Sequence, residues 1–485
     1  MSQTLERLKA PIPDRIWMFC VMCGAGLFVA GFAPTALVLM YLAWNRRERL
    51  VNDLRSGLIR NERYIPGLIL LGPPVASLMA GGTPPLDDLL RHVAAHTHGF
   101  NYQAIYIGLD PAFPQVSMWF GFEVLAGTLK QAIGYWPAVY VLQATCYALS
   151  AWLAAAIAFR LIPVATPART AWVAILITAL LVSGLIQRAS LARPEAFLAI
   201  WAISALVLKP YQWLGLGLIL MPAYWLSIIY LPAVLLLNAS IRTKALIGAV
   251  LAATFLMFWA IYAGQEWSNF FLLLAKWSSA RLAPPGELLP IQAALFNPIF
   301  LLAIGAAIFK GRSASWDRSD LATLLVIGWF LLPGQVRYVG IIGPLLIILA
   351  SRKIPLEALT PTIRALCYLL CASLLYGAAP SNKHQDLPNF SIPPGSSLLT
   401  EFDVPTYLMP SLNPGIKTTP AMDLGAVIKE LQVASLALSG VGTLDCEILR
   451  KHRISHVIER SLKTHPACLQ NPEFHSNWRM WHVHP

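Results

Sequence analysis

The chain has 485 residues, of which 57% are hydrophobic and only 12% charged, and it carries a formal net charge of +12 with a mean hydropathy of +0.60. Soluble domains carry about 25% charged residues, so this composition excludes an ordinary soluble globular protein and points to a polytopic membrane protein. The basic balance reads as the excess of Lys and Arg that membrane proteins keep in cytoplasmic loops, and it predicts no nucleic-acid partner.

The first apolar run extends from about Ile16 to Trp44, longer than the roughly 7–15 residues of a signal-peptide core. Further runs able to span a bilayer lie near 64–81, 136–159, 170–187, 195–208, 212–238, 244–263, 291–309, 321–334, 339–350 and 361–378. The runs 16–44 and 212–238 each read as one long tilted helix or two short ones. The second breaks at "MPAYWLS" (221–227) between Lys209 and Arg242/Lys244, and is taken as two helices meeting outside. The expected fold is mostly α, a transmembrane helix bundle of about 11–13 spans.

Arginine placement sets the orientation. Segment 45–63 holds Arg46, Arg47, Arg49, Arg55, Arg60 and Arg63, whereas the longer loop 82–135 holds only Arg91 and Lys130. The first is expected in the cytoplasm and the second outside. Alternation then places 187–197, 264–290 and 334–340 outside, 310–320 and 351–353 inside, and the tail after about Pro380 outside. The loop 82–135 and the C-terminal tail are thus expected on the same, extracytoplasmic side.

Residues 380–485 lose the long apolar runs. Turn-rich "SIPPGSSLLT" and "SLNPGIKTTP", strand-like "ISHVIER" and the helical periodicity of "DLGAVIKELQVASLAL" (423–438) predict a small extracytoplasmic α/β domain. The division is thus a membrane module over 1–379, with the external loop 82–135, and a soluble domain over 380–485. Cys446 and Cys468 fall together in that domain, where an oxidising compartment permits a disulfide. Cys367 and Cys371 have i,i+4 spacing and read as core filling.

The loop begins "TPPLDDLLRHVAAHTHGFNY" (83–102). Asp87 suits a helix N-cap and Asp88 the first turn, where a carboxylate complements the helix dipole. Asp87 and Arg91 are one helical turn apart, as are Asp88, His92 and His96 in series. That series offers aspartate and imidazole to a divalent metal, although His92 and His96 also serve as ordinary interfacial polar groups. Further ionisable residues gather on the same expected face: Arg188, Arg193 and Glu195, then Glu266, Lys276, Arg281 and Glu287, then Arg337. Each alone reads as a boundary anchor, yet arginines recurring at external turns, against the positive-inside bias, match an anionic lipid headgroup.

The acidic pair followed by "LLRHV", "RPE" at 193–195, "RY" at 337–338 opening into "GPLL", and a C-terminal external α/β domain together resemble the GT-C superfamily of membrane glycosyltransferases. The resemblance covers most of the chain in layout but only these short motifs locally. It departs in the extra apolar element at 16–44 and in "AYWLS", which has no lysine where several relatives carry one. It implies a polyprenyl-phosphate-linked sugar donor, the lipid bilayer as partner, and a glycan, lipid or protein acceptor.

The residue chemistry fits such a transfer. Asp87 or Asp88 would be the base for the acceptor hydroxyl, with inversion at the anomeric carbon. Arg193 and Arg337, then Arg281 and Lys276, would hold the donor phosphate, since the guanidinium fork suits phosphate. Arg91, His92, Glu195 and Tyr338 would support them. Trp119, Tyr102, Tyr224 and Trp225 would line the sugar or prenyl path or form an interfacial belt. The alternatives are a polysaccharide ligase or polymerase, a lipid-linked-sugar transporter or flippase, and a non-catalytic scaffold.

Overall fold

The computed structural model describes residues 62–71, 89–95, 101–109, 116–162, 167–186, 189, 192–266, 268, 316–332, 338–352, 359–378, 389–401, 408–410, 412–413, 415–419, 427–460, 462, 465–470 and 471–484. Within them the chain is mostly helical, followed by one small C-terminal sheet. The apolar runs expected at 16–44 and 291–309, and residues 72–81 of the run expected at 64–81, lie outside the described residues.

The helices are α1 (Leu89–Ala95), α2 (Phe120–Ile133), α3 (Tyr135–Leu161), α4 (Pro167–Leu180), α5 (Pro194–Ser204), α6 (Pro210–Leu220), α7 (Ile241–Ala263), α8 (Arg318–Leu331), α9 (Val339–Ser351) and α10 (Pro361–Ala378). Only α3, with 27 residues, and α7, with 23, are long and apolar enough to cross a membrane among the described residues. At about 1.5 Å per residue both exceed a hydrocarbon core of about 30 Å. The other apolar helices are shorter, because prolines and glycines punctuate them. Pro194 and Pro210 occupy the first turns of α5 and α6, where a missing N–H does no harm.

The run 212–238 breaks where expected. It forms α6, a 3-10 turn at Met221–Ala223 and a 3-10 stretch at Ser227–Leu236 containing Pro232. Burial on α7 is confined to an i,i+4 stripe of Ile247, Leu251, Phe255, Trp259 and Ala263. Its other faces expose Leu246, Leu256, Met257 and, at 80%, Ile261. Water disfavours such a surface and lipid accepts it.

Two close approaches fix the packing. Gly217 lets α6 meet α5 and α7, since a Cβ there would stand 2.7 Å from the Trp201 ring and 2.8 Å from Leu251. The Trp201 and Trp213 rings stack at 4.3 Å, and each indole N–H donates to the other residue's carbonyl, at 3.0 and 2.8 Å. Gly184, in a π-helical turn (Leu181–Leu185) that continues α4, adopts φ 143°. A Cβ there would lie 2.8 Å from the Val339 carbonyl oxygen, so the head of α9 seats directly on that turn.

The C-terminal sheet has the order β2-β1-β3-β5-β4, with β1 Ser397–Thr400, β2 Lys417–Thr419, β3 His456–Glu459, β4 Leu469–His475 and β5 Trp478–Val483. β1 runs parallel to β2 and β3, whereas β5 is antiparallel to β3 and β4. Helices α11 (Lys429–Leu438) and α12 (Cys446–Lys451) cover it, burying Ala434, Leu438 and Leu449 against Leu399 and Val457. Cys446 and Cys468 form the expected disulfide. The expected helix at 423–438 begins only at Lys429. Val427 is instead bridged to Leu109, and the Ile428 N–H donates to the Gly108 carbonyl at 2.9 Å. Tyr106 forms a parallel bridge to Thr418, and the Ile107 N–H donates to the Thr418 carbonyl at 2.8 Å. The segment 101–109 therefore closes the β2 edge of the sheet. Gly108 supplies the left-handed φ of 64° that this turn requires.

Candidate functional site

α1 is described from Leu89 onward, and the acidic pair Asp87-Asp88 just before it lies outside the described residues. Its register is set by a group of wholly buried polar side chains. His92 Nδ1 stands 3.0 Å from Glu123 Oε1, in the first turn of α2. The Ser117 hydroxyl donates to the other carboxylate oxygen. The Ser117 oxygen in turn accepts the Trp119 N–H at 3.1 Å and lies 3.1 Å from the Tyr102 hydroxyl. Since the Ser117 proton is already committed to Glu123, Tyr102 is the donor of that bond. His92, Ser117, Glu123 and Tyr102 are each 0% exposed. Every oxygen of Glu123 and Ser117 is engaged, and satisfied networks of this kind rigidify what they join. They join α1, the turn Tyr102–Ile105 and α2.

Aromatic rings extend this centre. His92 packs edge-on to Phe122 at 5.2 Å, and Phe122 meets Phe197 of α5 at 5.8 Å. Trp119 stacks on Tyr224 at 5.7 Å, and the Trp225 N–H donates to the Met118 carbonyl at 3.0 Å. The 221–227 break thus folds against the head of α2. Tyr102, Trp119, Tyr224 and Trp225 are all buried, so they form interior walls of this end of the bundle rather than an interfacial belt.

The α5 head carries two of the expected residues. Arg193 is its N-cap, half-buried, and Glu195 lies in its first turn. Tyr338 caps α9, which packs on α5, and is buried against Tyr230 at 6.4 Å and Phe330 at 5.4 Å. Arg91 lies within α1. The structure therefore links α1 to α5 through Phe122 of α2 and Phe197, and packs α9 on α5. Arg337, Arg281, Lys276, Asp88 and His96 lie outside the described residues. Among the described residues no three His, Cys, Asp or Glu side chains gather as a metal site, and the Nδ1 of His92 faces Glu123.

Sequence reasoning missed Glu123, Ser117 and the polar role of Tyr102. The signal for Glu123 was a single acid inside the apolar stretch "FGFEVLAG". An acid in such a setting requires a partner.

No protein-family model matches the chain, and no curated protein matches it. Among solved structures it is similar to archaeal oligosaccharyltransferase AglB from Archaeoglobus fulgidus in complex with an inhibitory peptide and a dolichol-phosphate, at 10% identity over 82% of this chain and 69% of that one, with a TM-score of 0.45. It is also similar to the apo form of the Archaeoglobus fulgidus oligosaccharyltransferase, at 10% identity over 82% of this chain and 70% of that one, with a TM-score of 0.46.

Proposed function

We propose that this chain is a multi-pass membrane glycosyltransferase of the GT-C type, moving a sugar from a polyprenyl-phosphate donor to an extracytoplasmic glycan, lipid or protein. The reading is carried by one observation: the helix that follows the acidic pair and the helix headed by Arg193 and Glu195 are bridged by Phe122 of α2, which packs on both His92 and Phe197. Two stretches about a hundred residues apart in sequence, one acidic and one basic, then serve a single end of the bundle. The exposed apolar faces of α7 support a lipid setting.

In this reaction Asp87 or Asp88 takes the proton of the acceptor hydroxyl as that oxygen attacks the anomeric carbon. The bond to the lipid phosphate breaks, the phosphate leaves with the electron pair, and attack from the opposite face inverts the centre. Arg193 and Arg337, with Arg281 and Lys276, neutralise the departing phosphate. The active face and the C-terminal sheet lie on the periplasmic side of a bacterial inner membrane.

The test is separate replacement of Asp87 and Asp88 by Asn, with transfer of labelled sugar from undecaprenyl-phosphate donors measured in membranes. At least one replacement should abolish transfer at unchanged expression, and R193A should raise KM for the donor. Full activity in both Asn variants would overturn the reading in favour of a transporter or ligase.

A further inference from the structure

Glu195 differs from every other buried acid among the described residues. Glu62 accepts from Arg364 at 3.0 Å, and Asp320 accepts from Arg352 at 3.3 Å. Glu401 accepts from the Arg460 N–H at 2.6 Å, and Glu459 pairs with Arg479 at 2.8 Å. Glu123 is satisfied by His92 and Ser117. Glu195 is 8% exposed, yet its Oε2 is shielded from solvent and has no hydrogen-bond partner. Hydroxyls among the described residues are also buried without a partner, but a carboxylate oxygen is the costliest acceptor to leave so, and it calls for a ligand or a function.

Its position says which ligand. Arg193 and Glu195 sit two residues apart at the head of one helix, Arg193 as its extended N-cap, and the guanidinium does not fill the free Glu195 Oε2. The α5 head therefore offers a guanidinium to an anion and a separate unfilled acceptor to a donor group. The helix dipole and the neighbouring arginine disfavour a cation there. A neutral hydroxyl attached close to a phosphate satisfies both groups at once.

We infer that Glu195 accepts a hydrogen bond from a hydroxyl of the donor's sugar while Arg193 holds its phosphate, making Glu195 a residue that reads the transferred sugar. This rests on the donor proposed above and adds a role for one side chain.

The test uses the full chain in nanodiscs, with undecaprenyl phosphate and undecaprenyl phosphates bearing a hexose or a pentose as probes and thermal unfolding as the readout. Wild type should be stabilised by the sugar-free lipid and further stabilised by one of the sugar-bearing forms. In E195M the second increment should vanish while the first remains, and the unliganded Tm should equal or exceed that of wild type, because an unpaired carboxylate has been removed. E195Q, which keeps one acceptor oxygen, should retain part of the increment and show KM for the donor raised on the order of tenfold. A sugar-dependent increment kept in E195M, or a lowered unliganded Tm in E195M, overturns the assignment. No stabilisation of wild type by any of these lipids overturns the donor reading, and this assignment with it.

Discussion

Removing the Cys446–Cys468 disulfide should loosen the C-terminal unit by a calculable amount. The bridge joins the first residue of α12 to the residue before β4, across a sequence separation of 22. Closing a loop of that size removes about 11 cal/mol/K from the unfolded ensemble, so its loss in C446S/C468S lowers stability by about 3 kcal/mol at 25 °C. Where amides exchange through cooperative opening, that is on the order of a hundredfold faster exchange. Hydrogen exchange followed by mass spectrometry on the full chain in detergent should find this acceleration in peptides covering α12, β4 and β5, with α3 and α7 unchanged. Unaltered exchange in those peptides would refute the reasoning. Sidedness is tested in parallel, because a bridge formed in cells resists alkylation until reduced, whereas immediate labelling of both thiols would place the unit in a reducing compartment.

Truncating Glu123 to Ala strands two buried donors, His92 Nδ1 and the Ser117 hydroxyl, at about 1–3 kcal/mol each. The thermal midpoint should fall sharply, and an S117A/E123Q double-mutant cycle should return non-additive coupling. Gly184→Ala must hold φ 143° and place a Cβ 2.8 Å from the Val339 carbonyl, so it should lower stability by about 1–3 kcal/mol, whereas Gly248→Ala, where a Cβ meets nothing within 4 Å, should leave the melt unchanged or raise it. Burial, then the neighbouring His482, hold the His456 pKa below its ordinary 6.5, against a smaller opposing pull from Glu473. His456 therefore resists protonation in the folded sheet more than it does in the unfolded chain. Its contribution is complete above pH 6.5 and is lost as pH falls from there through the lowered folded value. Proteolysis of the unit spanning 389–484 should accelerate between pH 7.5 and 5.5 in wild type and do so less in H456N.

What the sequence made legible follows hydropathy. The runs 136–159 and 244–263 reappear as α3 and α7 within a few residues, because an uninterrupted apolar stretch leaves the backbone one way to satisfy its own polar groups. The break at 221–227 was visible in its proline. Helix ends set by tertiary contact were not visible: the start of α11 is fixed by Leu109 and Gly108, which pair with Val427 and Ile428, and no local propensity encodes a partner so distant. At the candidate site, the grouping of Arg193 with Glu195 follows from adjacency. The bond from His92 to Glu123 spans separate helices, and periodicity carries no information about it. Of the i,i+4 series read as a possible cation site, only His92 lies among the described residues, and spacing alone could not reveal the carboxylate on α2 that faces its Nδ1.

The pairing of residues 106–109 with Thr418, Val427 and Ile428 also constrains biogenesis. The early segment leaves the ribosome long before β2 exists, and until then its N–H and C=O groups have no partners in the sheet. Contacts of such sequence separation form late. A nascent chain arrested before β2 would already hold α1 on α2 through His92 and Glu123, whereas residues 106–109 gain their partners only once Thr418, Val427 and Ile428 have been made.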